Sequence, residues 1–186
     1  MAAYKRPDLF SQLVIMDPPF VIGRNAALFE LVKKFNLKAI HKFTPSGMTL
    51  KRKDQWLSKQ EAFESLRNNR LFKDFDDQCF QDYIDAGIQT HPTSNGVTLT
   101  IPKKVEAEIF KTVPAWWWRT PRKAPNIPVH LMTAAESSFY QQGFPQAMNK
   151  IYKIPYTVLQ GGHMFPLEQP IETAEHVMNV LKNIAA

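Results

Sequence analysis

Apolar residues along this chain follow two rhythms, and the changes of rhythm mark its organisation. Gln12 to Met16 carries the unbroken run Leu13-Val14-Ile15-Met16. That is the pattern of a strand buried on both faces in a parallel sheet. The residues before it, Met1 to Arg6, read as the last turn of a helix stopped by Pro7. Asp17-Pro18-Pro19 ends the strand and leaves a carboxylate at its C-terminal end, where ligand sites of open α/β sheets lie. Two similar runs come late, Pro128 to Met132 and Ile154 to Gln160, with a short helix over Phe144 to Tyr152 between them. Ile171 to Ile184 then has the spacing of an amphipathic helix, with Pro170 near its first turn.

Between these sheet segments the period is helical. Arg24 to Phe35 places Ala27, Leu28, Leu31, Val32 and Phe35 near a 3.6-residue repeat. Lys38 to Trp56 reads as a basic connection. Ser58-Lys59-Gln60-Glu61 is a capping box that opens a helix to about Arg67. Asp76 to Ala86 predicts a further helix, with Gly87 as its C-terminal stop. Thr90 to Gly96 is a polar turn, Val97 to Ile101 is extended, and Pro102 to Lys111 is helical. Nothing in this stretch alternates strand with helix. The chain therefore divides into 1–19, the start of an α/β core; 20–125, a mostly helical insertion; and 126–186, the return to the core.

Charge sharpens that division. Residues 1–125 hold 20 Lys/Arg against 13 Asp/Glu, and residues 126–186 hold 3 against 4, so the net charge of +6 belongs to the first part. The basic clusters Lys33-Lys34, Lys51-Arg52-Lys53 and Lys103-Lys104 are short. No zinc spacing, RNA-binding signature or helix-turn-helix pattern accompanies them, so they read as solvated faces and not as a nucleic-acid site. One cysteine, Cys79, excludes an intrachain disulfide and fits a reducing, cytoplasmic setting; in Cys79-Phe80 it reads as core filler. No apolar run approaches the roughly 20 residues that span a bilayer, and no signal-peptide pattern is present, so no membrane partner is expected. No metal site or cofactor is implied.

The candidate chemistry sits on Gln160-Gly161-Gly162-His163, a glycine turn that carries an imidazole between the last strand and the last helix. Glycines allow the sharp turn, and loops on rigid scaffolds are common places for catalytic groups. His130 falls inside a strand and reads as structural. Gly162-His163-Met164-Phe165-Pro166-Leu167-Glu168-Gln169-Pro170 resembles the histidine loop of the α/β-hydrolase superfamily, a G-H-x-x-x-x-E-x-P pattern that carries the general base. Arg6-Pro7-Asp8-Leu9-Phe10 through Met16-Asp17-Pro18 resembles the segment after that family's nucleophile helix. The insertion, notably Phe72 to Gly87, Gly96 to Leu99 and Glu106 to Phe110, is similar to caps of the haloalkane-dehalogenase and epoxide-hydrolase branch and related esterases.

The resemblance implies a partial α/β-hydrolase fold: about three parallel strands flanked by helices, with a helical cap. It implies His163 as base and offers two acids, Asp17 after the first strand and Glu136 after the second. Asp17 is preferred, because the segment around Glu136 lacks the family's glycine and has Ser138 where an aspartate is expected. Phe20, Trp116, Trp117 and Phe165 become candidate walls of a site for a small apolar ester- or epoxide-like substrate. The pattern lacks its nucleophile. No G-x-S-x-G elbow, or aspartate counterpart, occurs in the 186 residues. Ser137 and Ser138 lie at a strand end without the strained glycine turn and make poor substitutes. Three readings follow: a hydrolase whose elbow lies outside these residues, a non-catalytic binding product of the same fold, and a half-enzyme completed by another chain. The strand Gln12 to Met16 would lack its preceding neighbour, so self-association or a complementing chain is expected.

Overall fold

A computed structural model describes residues 2–18, 24–35, 40–112 and 124–184. The chain divides into two compact units, Met1–Ile22 with Arg119–Ala186, and Gly23–Trp118.

The first unit begins with a short helix, α1 (Ala2–Lys5), and a 3-10 turn at Pro7–Leu9. The strands β1 (Leu13–Met16), β5 (Val129–Ala134) and β6 (Tyr156–Leu159) form one parallel sheet in the order β1-β5-β6. Leu13 sits opposite Val129 and Met16 opposite Met132; Leu131 sits opposite Tyr156 and Ala134 opposite Leu159. This is the α/β class and three-stranded parallel sheet that the apolar runs and the resemblance together imply, although β1 is half-buried with Met16 exposed and not buried on both faces. Two short helices, α8 (Ser138–Gln141) and α9 (Phe144–Tyr152), connect β5 to β6. The chain leaves α9 through Lys153 at φ 59, and Asn149 Nδ2 donates to the Ile154 carbonyl at 3.0 Å, which turns it directly into β6. After β6 come α10 (Phe165–Glu168) and α11 (Pro170–Ile184). Met132, Ala134, Leu159 and Phe165 form the core here, with Val14 of β1 and Val177 and Val180 of α11 packed against them. The amphipathic face of α11 thus covers the sheet, as its spacing requires.

The second unit holds α2 (Arg24–Lys34), α3 (Ile40–Phe43), α4 (Ser46–Lys51), α5 (Lys59–Arg67), α6 (Asp77–Gly87) and α7 (Lys103–Lys111). A three-stranded antiparallel sheet joins them, β2 (Gln55–Trp56), β4 (Val97–Leu99) and β3 (Ile88–Thr90), in the order β2-β4-β3. The helix α5 is capped by Ser58 as its sequence predicts, and Asp76, expected inside α6, is instead its cap. Ser58 Oγ accepts from the Glu61 amide at 3.1 Å, and Asp76 Oδ1 accepts from the amides of Gln78 and Cys79. Glu61 reaches back one residue further than a capping box does, to the Leu57 amide at 2.7 Å. Phe72, Phe75 and Phe80 are buried together, and the Arg67 guanidinium lies over the Phe80 ring while donating to the carbonyls of Phe72 and Phe75.

Four further expectations are corrected in this unit. Lys38 to Trp56 is not a plain connection: its described part contains α3, α4 and β2. The helix α6 runs through Gly87 and stops at Ile88, which enters β3 directly. The buried face of α2 is Ala26, Phe29 and Val32, whereas Leu28, Leu31 and Phe35 are exposed. Ile40 packs on that stripe, clustered with Phe29 and Val32. Cys79 is half-buried rather than core, and burial together with the Asp76 and Asp82 carboxylates holds its thiol above the ordinary value.

Candidate active site

Three strand ends of the parallel sheet converge on one carboxylate. The backbone of β1 finishes at Asp17, whose N–H still donates to the Met132 carbonyl at 2.7 Å, so it remains tied to β5. Asp17 has φ 36, a left-handed conformation that aspartate tolerates better than most side chains. Such outliers persist where surrounding contacts over-determine them. Asp17 is 3% exposed. A carboxylate this far from water needs donors, and it has three. Thr133 Oγ1 donates to Oδ1 at 2.6 Å, Ser137 Oγ donates to Oδ2, and His163 Nδ1 lies 2.6 Å from Oδ2.

The imidazole arrives on the turn after β6. Ala135 N–H donates to the Leu159 carbonyl, and Glu136 N–H to the Gly161 carbonyl, so the two strand ends stay paired past the strands themselves. Gly161 has φ 96, and Gly162 N–H donates to Glu168 Oε2 at 2.8 Å. The Glu168 carboxylate therefore closes the loop from the far end of α10. The Phe139 ring meets the His163 ring edge-on, with centroids 5.0 Å apart. A carboxylate only accepts hydrogen bonds, so the contact to Asp17 puts a proton on Nδ1. In the neutral ring Nε2 is then bare and basic. The His163 side chain is 46% exposed.

Of the sequence-derived site residues, the fold brings Asp17 and His163 together. Glu136 is exposed, and its described contact is through its backbone, to Gly161. Phe165 is 1% exposed and packed among Met132, Ala134 and Leu159, so its ring forms core and not a ligand wall. Phe20, Trp116 and Trp117 lie outside the described residues. Ser137 is spent as the N-cap of α8 and as a donor to Asp17, which makes it a support and not a nucleophile. His130 is structural: its Nε2 meets Thr157 Oγ1 at 2.8 Å, and burial pushes its pKa below the ordinary histidine value. Among the described residues, no group of three His, Cys, Asp or Glu could hold a metal, and no helix is long and apolar enough to cross a membrane. Thr133 and Ser137 as partners of Asp17 were not legible beforehand. A threonine inside a strand and a serine in a turn carry no such signal.

This topology is that of a partial α/β-hydrolase fold. An E-2-(acetamidomethylene)succinate hydrolase superposes with a TM-score of 0.65 at 16% identity, over 97% of this chain and 61% of the other. A peroxisomal α/β-hydrolase of Saccharomyces cerevisiae superposes with 0.70 at 15% identity, over 98% and 48%. An esterase of M. tuberculosis gives 0.63 at 16%, over 97% and 57%. The chain spans about half to three-fifths of the length of these neighbours. At such identities the likeness establishes the fold alone. No family model matches the chain, and no curated protein matches it.

Proposed function

We propose that this chain carries the acid and base of a hydrolase active site, with His163 as general base and Asp17 as the acid that orients it. The observation that supports this reading is the bond from His163 Nδ1 to a buried Asp17, which leaves Nε2 as the basic atom. The substrate class proposed is a small apolar ester or epoxide, and the nucleophile, serine or aspartate, is proposed to come from a segment outside these 186 residues or from a second chain. With a serine, Nε2 takes the hydroxyl proton as oxygen attacks the ester carbonyl, and then returns it to the leaving group. With an aspartate, a carboxylate oxygen attacks an epoxide carbon, the C–O bond of the ring breaks, and the freed oxygen takes a proton from water; Nε2 then takes a proton from the water that attacks the ester carbonyl and returns it to the released diol oxygen, which restores the carboxylate. In both schemes the imidazolium is stabilised by the Asp17 charge through Nδ1–H.

A non-catalytic binding role is favoured by one observation, the absence of a nucleophile elbow from the sequence. Activity separates the two readings. The 186-residue chain alone should leave p-nitrophenyl esters at background. A longer in-frame product, or a reconstituted pair, containing G-x-S-x-G or G-x-D-x-G should turn over ester or epoxide. That activity should fall further for Asp17→Asn than for Glu136→Gln. Turnover by the short chain that survives Ser137→Ala and Ser138→Ala but is lost on His163→Ala would overturn the missing-nucleophile argument.

A further inference from the structure

We propose that Ser137 and Thr133 are positioning residues that lock the Asp17 carboxylate into the orientation His163 requires; this rests on the reading of Asp17 and His163 as an acid–base pair. The need arises from the side chain itself. The terminal torsion of aspartate is broad and roughly two-fold, so no rotamer preference holds the carboxylate plane. Asp17 also stands at a strand end with a left-handed backbone. External donors must therefore fix the plane, and they come from the neighbouring strand. Thr133 lies inside β5, is 0% exposed, and holds Oδ1 at 2.6 Å. Its β-branched side chain is stiff at the first torsion. Ser137, 1% exposed, holds Oδ2, the same oxygen that His163 uses.

The direction of the serine hydroxyl is itself fixed. Ser137 Oγ accepts from Phe139 N–H at 3.2 Å as the cap of α8, so its proton is left to point at the carboxylate. One oxygen of Asp17 is thus pinned from β5, and the other is shared between a capping serine and the histidine. The bond to His163 then forms without the carboxylate having to search, and the proton stays on Nδ1.

The test reads the imidazole directly in the 186-residue chain. Nitrogen-15 spectra report which ring nitrogen is protonated, and the Nδ1 proton reports its exchange with water. We expect the wild-type ring to be protonated at Nδ1 in its neutral form. Ser137→Ala should shift the tautomer toward Nε2–H and speed exchange of the Nδ1 proton on the order of fivefold, the equivalent of one ordinary hydrogen bond. Thr133→Val should act in the same direction but less, since it frees the other oxygen. Ser137→Thr and Thr133→Ser keep the hydroxyls and should keep the wild-type signature. Asp17→Asn should reverse the tautomer outright, because an amide N–H facing the ring needs a bare Nδ1.

The proposal is overturned if Ser137→Ala and Thr133→Val both keep the wild-type signature while Asp17→Asn abolishes it. An Asp17→Asn variant with an unchanged signature would instead remove the acid–base reading, and the proposal with it. Backbone amide spectra identify any variant that has lost its fold. Should Ser137→Ala be one, the comparison of Thr133→Val with Thr133→Ser decides.

Discussion

Two adjacent glycines in the histidine loop separate a steric cost from a conformational one. A Cβ added to Gly162 would lie 2.9 Å from Glu168 Oε1, and the other atoms it would meet, at 3.5 and 3.6 Å, also belong to that carboxylate. The same carboxylate accepts the Gly162 N–H at 2.8 Å, so it cannot swing away without giving up that bond. Gly162→Ala should therefore cost about 1.5–3 kcal/mol, the worth of a hydrogen bond to a charged group. At Gly161 the added Cβ would lie 2.9 Å from Glu168 Oε2, and the backbone sits at φ +96 as well. The left-handed conformation adds about 1–2 kcal/mol for a side-chain-bearing residue. Removing the carboxylate distinguishes the two. In a Glu168→Ala background, Gly162→Ala should become neutral or stabilising by up to about 1 kcal/mol, whereas Gly161→Ala should still cost about 1–2 kcal/mol. Urea unfolding measures this, with a midpoint shift of about 1 M for Gly162→Ala at a slope near 2 kcal/mol per molar. Hydrogen exchange at the β5 and β6 amides would report this unit separately from the middle one. A Gly162→Ala penalty undiminished by Glu168→Ala would refute the reasoning.

Two further outcomes are expected. His130 has a folded pKa depressed by burial, so the stability tied to its neutral form is complete above the ordinary histidine pKa of about 6.5 and is lost as pH falls from there through the lower folded value. His130→Gln should flatten the fall in urea midpoint below neutrality, and an identical pH dependence in the two proteins would count against it. Among the described residues β1 pairs only with β5, and Met16 at its end is 45% exposed. The chain alone should therefore run as a dimer or larger in size-exclusion chromatography with light scattering; a monodisperse monomer at micromolar concentration would contradict that.

Local chemistry is readable in the sequence. The apolar run at Leu13–Met16 announces a strand of a parallel sheet whatever its partner, but the strand is half-buried with Met16 exposed, because coverage of its two faces depends on neighbours that the run does not name. Ser58 caps its helix through a contact three residues away. The glycine turn before His163 follows from residues beside it in the chain. The extended piece at Val97 to Ile101 is readable and contains β4, but its partners β2 and β3, of two and three residues, are not, because they are too short to display a period. On α2 two apolar stripes compete, and tertiary packing, with Ile40 against Phe29 and Val32, decides which is buried. The choice between Asp17 and Glu136 belongs to the same kind. Both stand at ends of parallel strands, and nothing local separates them beyond the fit of a motif. Asp17 meets His163 across 146 positions of sequence, and Thr133 and Ser137 across 116 and 120. Contacts of that separation are set by strand order and register, which place three strand ends side by side; a linear pattern records which groups are present, and the sheet determines which of them touch.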